Sequence, residues 1–303
     1  MPKTYDLIIV GAGPAGITAG IYAARKKMDC LVITEDIGGQ TIWSGDVENY
    51  TGYRFMTGSE LASKFEEHIK KYSIGIKEGE RVNSLAKTGD IVRVVTNKDI
   101  YYSKTAIIAS GKRSKELGVP GEKEFKRKGL TYCATCDGPL FLDKKAVVVG
   151  GGNSALDAAF QLTRIAEKIY IVNMTAELTG DPVMKDKVTG DEKVTIFNDS
   201  KITEVFGGKF VEGVKIKTPR SEEVLEVEGV FVEIGLVPNS GFTQGLDKNK
   251  HGEIIINCQT ETNVKGVFAA GDVTNVIEKQ IIVAAGEGAK ASLQTFRYLA
   301  RKK

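Results

Sequence analysis

Short apolar runs rich in β-branched residues recur along this chain and predict strands that are buried on both faces. Residues 7–10 (LIIV) form one such run, and the alanine-rich residues 17–26 after it are typical of a helix. Residues 146–149 (AVVV) and 154–165 repeat the same order. A strand, a glycine-rich turn and a helix therefore occur twice, which predicts two βαβ units.

Alternating apolar and polar residues come later in each half of the chain. Residues 91–97 and 211–217 alternate in this way, which predicts antiparallel meanders attached to the parallel sheets. Near the end, residues 266–270 (GVFAA) indicate another buried strand, and a long helix is expected from about Ile281 to the C-terminus.

The length of 303 residues exceeds the size at which one hydrophobic core keeps growing, so two domains are expected. In a flavoprotein the last strand and helix would return to the first domain, which would make the second domain an insertion. The predicted fold class is α/β, with two Rossmann-like dinucleotide-binding domains that each carry an antiparallel β-meander. The predicted boundaries are residues 1–113 with 244–303 for the first domain, and 114–243 for the second.

Composition and charge exclude several classes of protein. The chain is 42% hydrophobic and 27% charged, as is typical of a globular protein. Its net charge is only +3, with both signs interspersed, so the basic surface of a nucleic-acid-binding protein is not expected. No apolar run approaches the length of a membrane span, and the first residues lead into a strand rather than a signal peptide. We therefore expect a cytoplasmic protein with neither nucleic-acid nor membrane partners.

The first glycine-rich turn, residues 11–16 (GAGPAG), matches G-x-G-x-x-G between a strand and a helix. Backbone amides at such a helix start can bind a pyrophosphate. Glu35 ends the next predicted strand, residues 30–34, about where a carboxylate accepts hydrogen bonds from an adenosine ribose. The second turn, residues 150–155 (GGGNSA), fits the G-x-G-x-x-A version and predicts a second pyrophosphate site.

Cys133 and Cys136 form the one C-x-x-C of the chain, in residues 132–139 (YCATCDGP). This spacing permits a small disulfide ring whose thiolate can take part in exchange. Asp137 is either a proton carrier, if burial raises the pKa of its carboxyl, or an acid at a helix start; both interpretations stay open.

A zinc site at this pair is not expected, because zinc needs four ligands. The two histidines, His68 and His251, are distant in sequence, and His68 falls on the solvated side of a predicted helix over residues 60–72. We predict no metal site. The remaining cysteines, Cys30 and Cys258, are interpreted as small buried apolar residues.

The order of these motifs resembles the low-molecular-weight thioredoxin reductase family over essentially the whole chain. Residues 136–141 (CDGPLF), 268–272 (FAAGD) and 286–292 (GEGAKAS) resemble most closely the flavoprotein subunit of alkyl hydroperoxide reductase. That subunit carries an additional thioredoxin-like N-terminal region. Because this chain starts at the FAD domain, we expect it to pass electrons to a separate thioredoxin-like or glutaredoxin-like protein.

The resemblance implies FAD and a nicotinamide as cofactors, with Cys136 facing the flavin, Cys133 as the interchange thiol and Asp137 as the acid. It also implies a homodimer whose second domain rotates. The implied FAD residues are Gly11, Gly13, Pro14, Ala15, Gly16, Glu35, Gly39, Gln40, Thr41, Asn49, Gly271, Asp272, Gln280 and Ile281. The implied nicotinamide-site residues are Gly150, Gly152, Asn153, Ser154, Ala155 and Asn173.

The chain departs from the family after the strand that follows the second turn. NADPH-dependent members carry His-Arg-Arg there, because guanidinium groups pair with the 2′-phosphate; this chain has residues 173–175 (NMT). The Asn173 amide can still bind ribose hydroxyls. Losing a charge-assisted pair costs on the order of 1.5–3 kcal/mol, so NADH is predicted over NADPH by at least about tenfold in affinity.

Other functions stay open at this level. The electron donor of a thioredoxin reductase-like enzyme can be a ferredoxin or a reduced deazaflavin instead of a nicotinamide. A flavin-dependent NAD(P)H oxidase or ferredoxin reductase would not need Cys133 and Cys136. A redox-sensing flavoprotein, in which the disulfide changes a binding surface without turnover, is the alternative outside the enzymes.

Overall fold

The computed structural model describes residues 3–302, apart from residues 44, 45 and 48 and the side chains of residues 43, 46, 135 and 136. It divides into two compact units. Unit 1 combines Met1–Arg113 with Val237–Lys303, and unit 2 is the continuous segment Ser114–Leu236.

Strands and helices are interspersed along the chain in both units. The strands are β1 (Thr4–Ala12), β2 (Cys30–Ile37), β3 (Asp46–Val47), β4 (Met56–Thr57), β5 (Gly75–Lys77), β6 (Val82–Thr88), β7 (Ile91–Thr96), β8 (Ile100–Ile108), β9 (Lys112–Ser114), β10 (Leu130–Thr131), β11 (Lys145–Val149), β12 (Lys168–Val172), β13 (Val194–Phe197), β14 (Lys201–Gly207), β15 (Val211–Lys217), β16 (Glu222–Glu226), β17 (Gly229–Val232), β18 (Leu236–Pro238) and β19 (Val267–Ala269). The helices are α1 (Pro14–Arg25), α2 (Gly58–Lys70), α3 (Glu122–Phe125), α4 (Ala134–Asp137), α5 (Asn153–Thr163), α6 (Pro182–Thr189) and α7 (Ile281–Arg301), with short 3₁₀ helices at Gly39–Trp43 and Gly138–Phe141.

The sheet of unit 1 is parallel at its centre and antiparallel at one side. Strands β5, β2, β1 and β8 are parallel neighbours in that order. Strand β8 then changes partner along its length. Its first half pairs with β7 of the antiparallel meander, whereas Ala106–Ile108 pairs with β19 from the end of the chain. The return of the C-terminal strand to the first domain is therefore confirmed.

Strand β1 is buried on both faces, as its unbroken apolar run predicts. Leu7 and Ile9 pack in a core with α1 and α7, whereas Ile8 and Val10 pack in a second core with the meander. All four side chains are at most 5% exposed. Because successive side chains of a strand point to opposite faces, four consecutive apolar residues serve two cores.

Helices α1 and α7 approach each other closely at Gly288. A Cβ atom added there would lie 2.0 Å from the carbonyl oxygen of Ala15, so any larger residue would push the helices apart. This contact holds the C-terminal helix against the helix that opens the first glycine-rich turn.

Unit 2 contains a fully parallel sheet of order β10, β17, β11, β12 and β13, with a separate antiparallel meander of β14, β15 and β16. Its two cores lie on the two faces of the parallel sheet. Strands β7 and β15 occupy the segments whose alternation predicted meanders, and α1, α5 and α7 lie within two or three residues of their predicted bounds.

Two predictions require correction. The second unit ends at Leu236 rather than at residue 243, because the segment that follows belongs to unit 1: the Phe242 carbonyl accepts a hydrogen bond from the amide of Leu85 and its ring packs on the core of that unit. Cys258 is exposed, whereas Cys30 is buried as predicted. Residues 257–260 form a turn stabilised by the Asn257 side chain rather than a strand, which leaves the Cys258 thiol at the surface.

His68 is exposed on α2, as predicted. In the part of the chain that the structure describes, no helix is long and apolar enough to cross a membrane.

Candidate dinucleotide and dithiol sites

The first glycine-rich turn joins β1 to α1, and its glycines serve three different purposes. Gly11 has a φ of +102°, and a Cβ there would lie 2.4 Å from the Ala109 carbonyl oxygen. At Gly16 a Cβ would lie 1.9 Å from the Gly11 carbonyl oxygen. At Gly13 a Cβ would meet nothing within 4 Å in the described residues. The turn is therefore tightly packed beneath and open at the helix start.

This open position fits a phosphate group. Gly13 precedes α1, and no side chain of the described residues caps the helix there, so its first amide groups are available to an anion. Gly39 approaches from the loop after β2, where an added Cβ would lie 3.2 Å from the Cα of Gly13. The donor set and the open space are those that the pyrophosphate of FAD requires.

Glu35, the predicted ribose ligand, lies exposed near the end of β2. Its Oε1 accepts a hydrogen bond of 2.8 Å from Nε of Arg81, and the second guanidinium contact is also 2.8 Å. This two-point contact orients the carboxylate and leaves its other oxygen for a ligand.

The loop that follows β2 carries the next predicted FAD residues. The Gln40 side chain donates to the Lys112 carbonyl at 2.6 Å, and Thr41 is buried. Asn49 donates to the Gln280 side chain at 3.2 Å, which links this loop to the start of α7 although the two residues are 231 positions apart. Ile281 packs against the small core that Val47, Met56 and Leu61 form. Residues from distant parts of the chain are thus brought to one place.

Gly271 and Asp272 follow β19 at the same carboxyl edge of the sheet. The Gly271 amide donates to the buried carboxylate of Glu287 at 2.8 Å. Burial raises the pKa of Asp272, and the nearby charges of Lys279 and Lys112 act in the opposite direction. Because the carboxyl ends of parallel strands meet at one edge, the predicted FAD residues from the strand ends and loops lie on one side of unit 1.

The second turn repeats this construction in unit 2. Gly150 has a φ of +136°, and a Cβ there would lie 2.3 Å from the Glu233 carbonyl oxygen. Gly152 precedes α5 and has open space within 4 Å among the described residues, as Gly13 has. Ala155 is fully buried in the place that corresponds to Gly16, and Ser154 beside it is exposed. The geometry fits a second dinucleotide pyrophosphate.

Asn173 directly follows β12, as predicted, but its side chain is only 3% exposed. Its amide nitrogen donates to the carbonyls of Thr175 and Glu177 and to Asn198, and its oxygen accepts from Thr175. These bonds are those of a residue that shapes the loop after β12. Its contact with a ribose stays a prediction.

The same loop folds back over the second turn. The Thr179 amide donates to the Gly151 carbonyl at 2.7 Å, and the Asp181 amide donates to the Asn153 side chain at 2.6 Å. Asn153 therefore binds this loop as well as opening α5.

Cys133 lies shortly after β10 and is disulfide-bonded. Its amide donates to the Thr131 hydroxyl at 3.2 Å, and its carbonyl accepts from the Asp137 amide at 3.2 Å. The side chain of Cys136 lies outside the described residues. The Asp137 carboxyl makes no capping hydrogen bond to the 3₁₀ helix Gly138–Phe141 within the described residues.

A buried carboxylate positions the segment that leads into Cys133. Glu122 is 3% exposed and accepts hydrogen bonds from the amides of Leu117 and Gly118 and from the Tyr132 hydroxyl, at 2.6–2.7 Å. Burial and this carboxylate raise the pKa of the Tyr132 hydroxyl above its ordinary value. Tyr132 therefore stays neutral and fixed beside the cysteine.

Sequence reasoning missed Glu122 and a second acid, Glu233, which follows β17 at the carboxyl edge of the unit 2 sheet. The sequence did offer a sign of Glu233, because this charged residue directly follows the apolar run that forms the fully buried strand β17. Among the described residues, no cluster of three or more acidic, histidine or cysteine side chains could hold a metal ion.

Comparison with known proteins gives the family. The model of the pyridine nucleotide-disulphide oxidoreductase family matches residues 5–288. The chain belongs to this family. It is 41% identical over 307 residues to a subunit of the alkyl hydroperoxide reductase of Escherichia coli, a match that covers 99% of this chain and 59% of that protein. It is 40% identical to a protein named NADH dehydrogenase from Ferdinandcohnia aciditolerans, over 98% of this chain and 58% of that protein.

The fold is likewise that of a solved thioredoxin reductase. The enzyme of Lactococcus lactis superposes with a TM-score of 0.84 at 32% identity, covering 98% of this chain and 100% of that one. The chain spans about three fifths of the length of the curated relatives named above. The resemblance to both groups, which the order of motifs predicted, is confirmed.

Proposed function

We propose that the protein is an FAD-dependent disulfide reductase of the thioredoxin reductase type. Electrons would pass from NADH through FAD to a disulfide between Cys133 and Cys136, and then to a thioredoxin-like or glutaredoxin-like protein. The observation that carries the proposal is a disulfide-bonded Cys133 at the carboxyl edge of the same parallel sheet that presents the second dinucleotide turn.

FAD, when bound, supplies the two-electron carrier between a nicotinamide and a disulfide. The residues of unit 1 have the tasks of binding and orienting it: the open start of α1 for the pyrophosphate, Glu35 with Arg81 for the ribose, and Asp272 for further hydroxyl groups. In unit 2, Cys133 supplies the interchange thiol, and Asp137 is the proposed proton carrier.

The preference for NADH rests on the loop after β12. Asn173 replaces the first residue of the arginine-containing motif, and its amide is already bonded within the loop. The same loop exposes Glu177, whose side chain is 79% exposed and pairs with Lys185 at 3.0 Å. Residues 173–181 of this loop contain no arginine, so the bidentate guanidinium partner of a 2′-phosphate is missing, which disfavours NADPH.

The donor is tested by adding NADH and NADPH in parallel to the purified protein without oxygen and following the flavin absorbance. We expect NADH to reduce the flavin with at least about tenfold higher apparent affinity. A preference for NADPH would contradict the assignment. If neither nicotinamide reduces the flavin and a reduced ferredoxin does, the assignment of NADH as the donor is wrong. The proposed dithiol chemistry is unaffected by that result.

The cysteine pair is tested with Cys133→Ser and Cys136→Ser. Each variant should lose reduction of a thioredoxin, followed with DTNB, and keep reduction of the flavin by the nicotinamide. Cys258→Ser is the matched control, because that thiol is free and exposed, and it should leave both activities unchanged. Turnover retained in either pair variant would refute the role, and absence of turnover in the unaltered protein with every acceptor tried would favour a redox-sensing module.

Light scattering of the purified protein tests the proposed homodimer, for which we expect twice the mass of one chain.

A further inference from the structure

Glu233 lies next to the cysteine segment by the register of the sheet. Strands β10 and β17 are parallel, with Thr131 opposite Phe231. Two residues further along each chain are Cys133 and Glu233, so both emerge at the carboxyl edge of adjacent strands.

Glu233 also borders the second dinucleotide turn. Its amide donates to the Val149 carbonyl at 2.8 Å, and its own carbonyl oxygen would lie 2.3 Å from a Cβ added at Gly150. Its backbone therefore separates the turn on one side from the cysteine segment on the other.

The side chain of Glu233 faces the cysteine segment. The amide of Ala134, the residue directly after Cys133, lies near enough to the Glu233 carboxyl to lower its pKa. Burial, and then the negative charge of Asp157 on α5, raise the pKa of Glu233 to about 7, while the Ala134 amide acts in the opposite direction. The carboxyl is thus poised to gain or lose a proton under the conditions in which thiols react.

The surrounding elements offer few other charges. Asp157 is the charged side chain that acts on the carboxyl from α5. Residues 150–153 of the turn carry no charged side chain, and Lys115 donates its amide to the Gly235 carbonyl. Helix α4 carries Cys136 and Asp137, and Cys133 directly precedes it, so these are the titratable residues of the cysteine segment.

We propose that Glu233 shares a proton with the thiol of Cys133, acting beside Asp137 as a second acid–base group of the dithiol. A carboxylate at Glu233 and a thiolate at Cys133 would repel each other, so we expect one of the two groups to keep the proton. The inference rests on the proposed dithiol function of Cys133.

Protons and electrons balance in each direction of this exchange. Two electrons from the proposed nicotinamide donor open the disulfide to two thiolates, and two protons convert these to thiols. Glu233 gives one proton to the Cys133 sulfur and becomes a carboxylate, and Asp137 gives the other proton to the Cys136 sulfur. When Cys133 attacks an acceptor disulfide, its proton returns to Glu233, a new S–S bond forms, and the leaving sulfur of the acceptor takes the electron pair.

The test uses the full-length protein with Cys136→Ser, so that Cys133 has no partner thiol in the pair, alone and combined with Glu233→Gln. Alkylation of Cys133 by iodoacetamide is followed across pH by mass spectrometry of its peptide. The amide is isosteric with the carboxyl and keeps an acceptor oxygen near the Ala134 amide. Removing the carboxylate should lower the pKa of the Cys133 thiol and raise its alkylation rate at pH 7 by about threefold or more.

Cys136→Ser combined with Glu226→Gln is the matched control, because Glu226 is exposed on β16 of the same unit. In this control the alkylation rate of Cys133 should depend on pH in the same way as in Cys136→Ser alone. Identical titration curves with and without Glu233→Gln would overturn the proposal.

A second readout follows the Glu233 carboxyl itself by infrared difference spectroscopy. Its ionisation near pH 7 should move to lower pH in Asp157→Asn, where a repelling charge is lost, and should change when Cys133 is alkylated. An ionisation indifferent to alkylation of Cys133 would overturn the proposal.

These outcomes are separable from failure of the proposed function. If dithiothreitol frees no alkylatable Cys133 in the unaltered protein and no acceptor is reduced, the dithiol function fails and this inference falls with it. If turnover occurs and Glu233→Gln leaves the titration unchanged, only the sharing of the proton is wrong.

Discussion

At the scale of single residues, two half-buried carboxylates are held in opposite electrostatic situations. Glu233 has a neighbour of its own sign, Asp157, and its pKa is raised to about 7. Glu253 in unit 1 contacts Lys112 at 2.8 Å and Lys279 at 3.1 Å, with all three side chains at most 22% exposed. Burial would raise the pKa of Glu253, but hydrogen bonds from its neighbours lower it to about 2. Glu233 is therefore suited to exchange a proton near neutral pH, whereas Glu253 is suited to stabilise the fold through its ion pairs.

Glu253→Gln should destabilise unit 1 in a pH-dependent way. A lowered folded-state pKa stabilises the protein above the ordinary glutamate value of about 4.5 and loses that stabilisation as pH falls towards about 2. We expect thermal melting at pH 7 to show a loss of about 2 kcal/mol, because two half-buried lysines lose their carboxylate.

The difference between Glu253→Gln and the unaltered protein should shrink steadily below pH 4.5. Glu278→Gln, at an exposed residue of the same unit, serves as the control and should melt like the unaltered protein throughout. A loss that is the same at pH 3 and pH 7 would contradict the ion-pair account.

The role of a single residue could be predicted from the sequence where its residue type is required for one physical reason. Gly11, Gly16 and Gly150 lie in the predicted turns, where only glycine tolerates the close contacts or the positive φ angles. Gly13 and Gly152 instead leave open space at the two helix starts. Prediction from the sequence failed for Cys258 and left Asn173 open, because exposure and hydrogen-bond partners depend on how a loop folds over its neighbours.

At the scale of elements, the contact between α1 and α7 is sensitive to a single methyl group. Gly288→Ala would place a carbon atom about 2.0 Å from the Ala15 carbonyl oxygen, which requires the helices to separate. We expect a loss of about 1–3 kcal/mol in thermal or urea unfolding and weaker FAD retention, since α1 begins at the proposed pyrophosphate site.

Gly286→Ala, one half-turn earlier on α7, is the matched control. A Cβ there meets nothing within 4 Å among the described residues, and alanine favours a helix over glycine by up to about 1 kcal/mol. That variant should be neutral or slightly stabilised. If both variants behaved alike, the close helix contact would not be the cause.

Elements were predictable where their apolar pattern is continuous. The unbroken apolar run predicted strand β1 correctly, and the long helix α7 begins at Ile281, where it was expected. The division of β8 between the meander and β19 was not predictable, because one strand sequence gives no sign of which partner pairs with each of its halves.

At the scale of the whole molecule, the cores of unit 2 are formed entirely by its own continuous segment. Every residue of the two cores on the faces of its parallel sheet lies between Ser114 and Leu236. We therefore expect a fragment of residues 114–236 to fold alone, with dispersed amide signals in NMR and a cooperative thermal transition. A fragment without a cooperative transition would show that unit 2 depends on unit 1.

The sequence by itself determined the two dinucleotide units and the cysteine pair, because these depend on residues close together in the chain. The insertion of one unit in the other depends instead on the pairing of β19 with β8, which only the tertiary structure shows. The tertiary structure decided what surrounds the pair. Glu233 is 100 positions from Cys133, and only the parallel register of β10 and β17 brings its carboxyl to the Ala134 amide. Strand pairing between distant segments is a property of the folded sheet, and local periodicity carries no record of it.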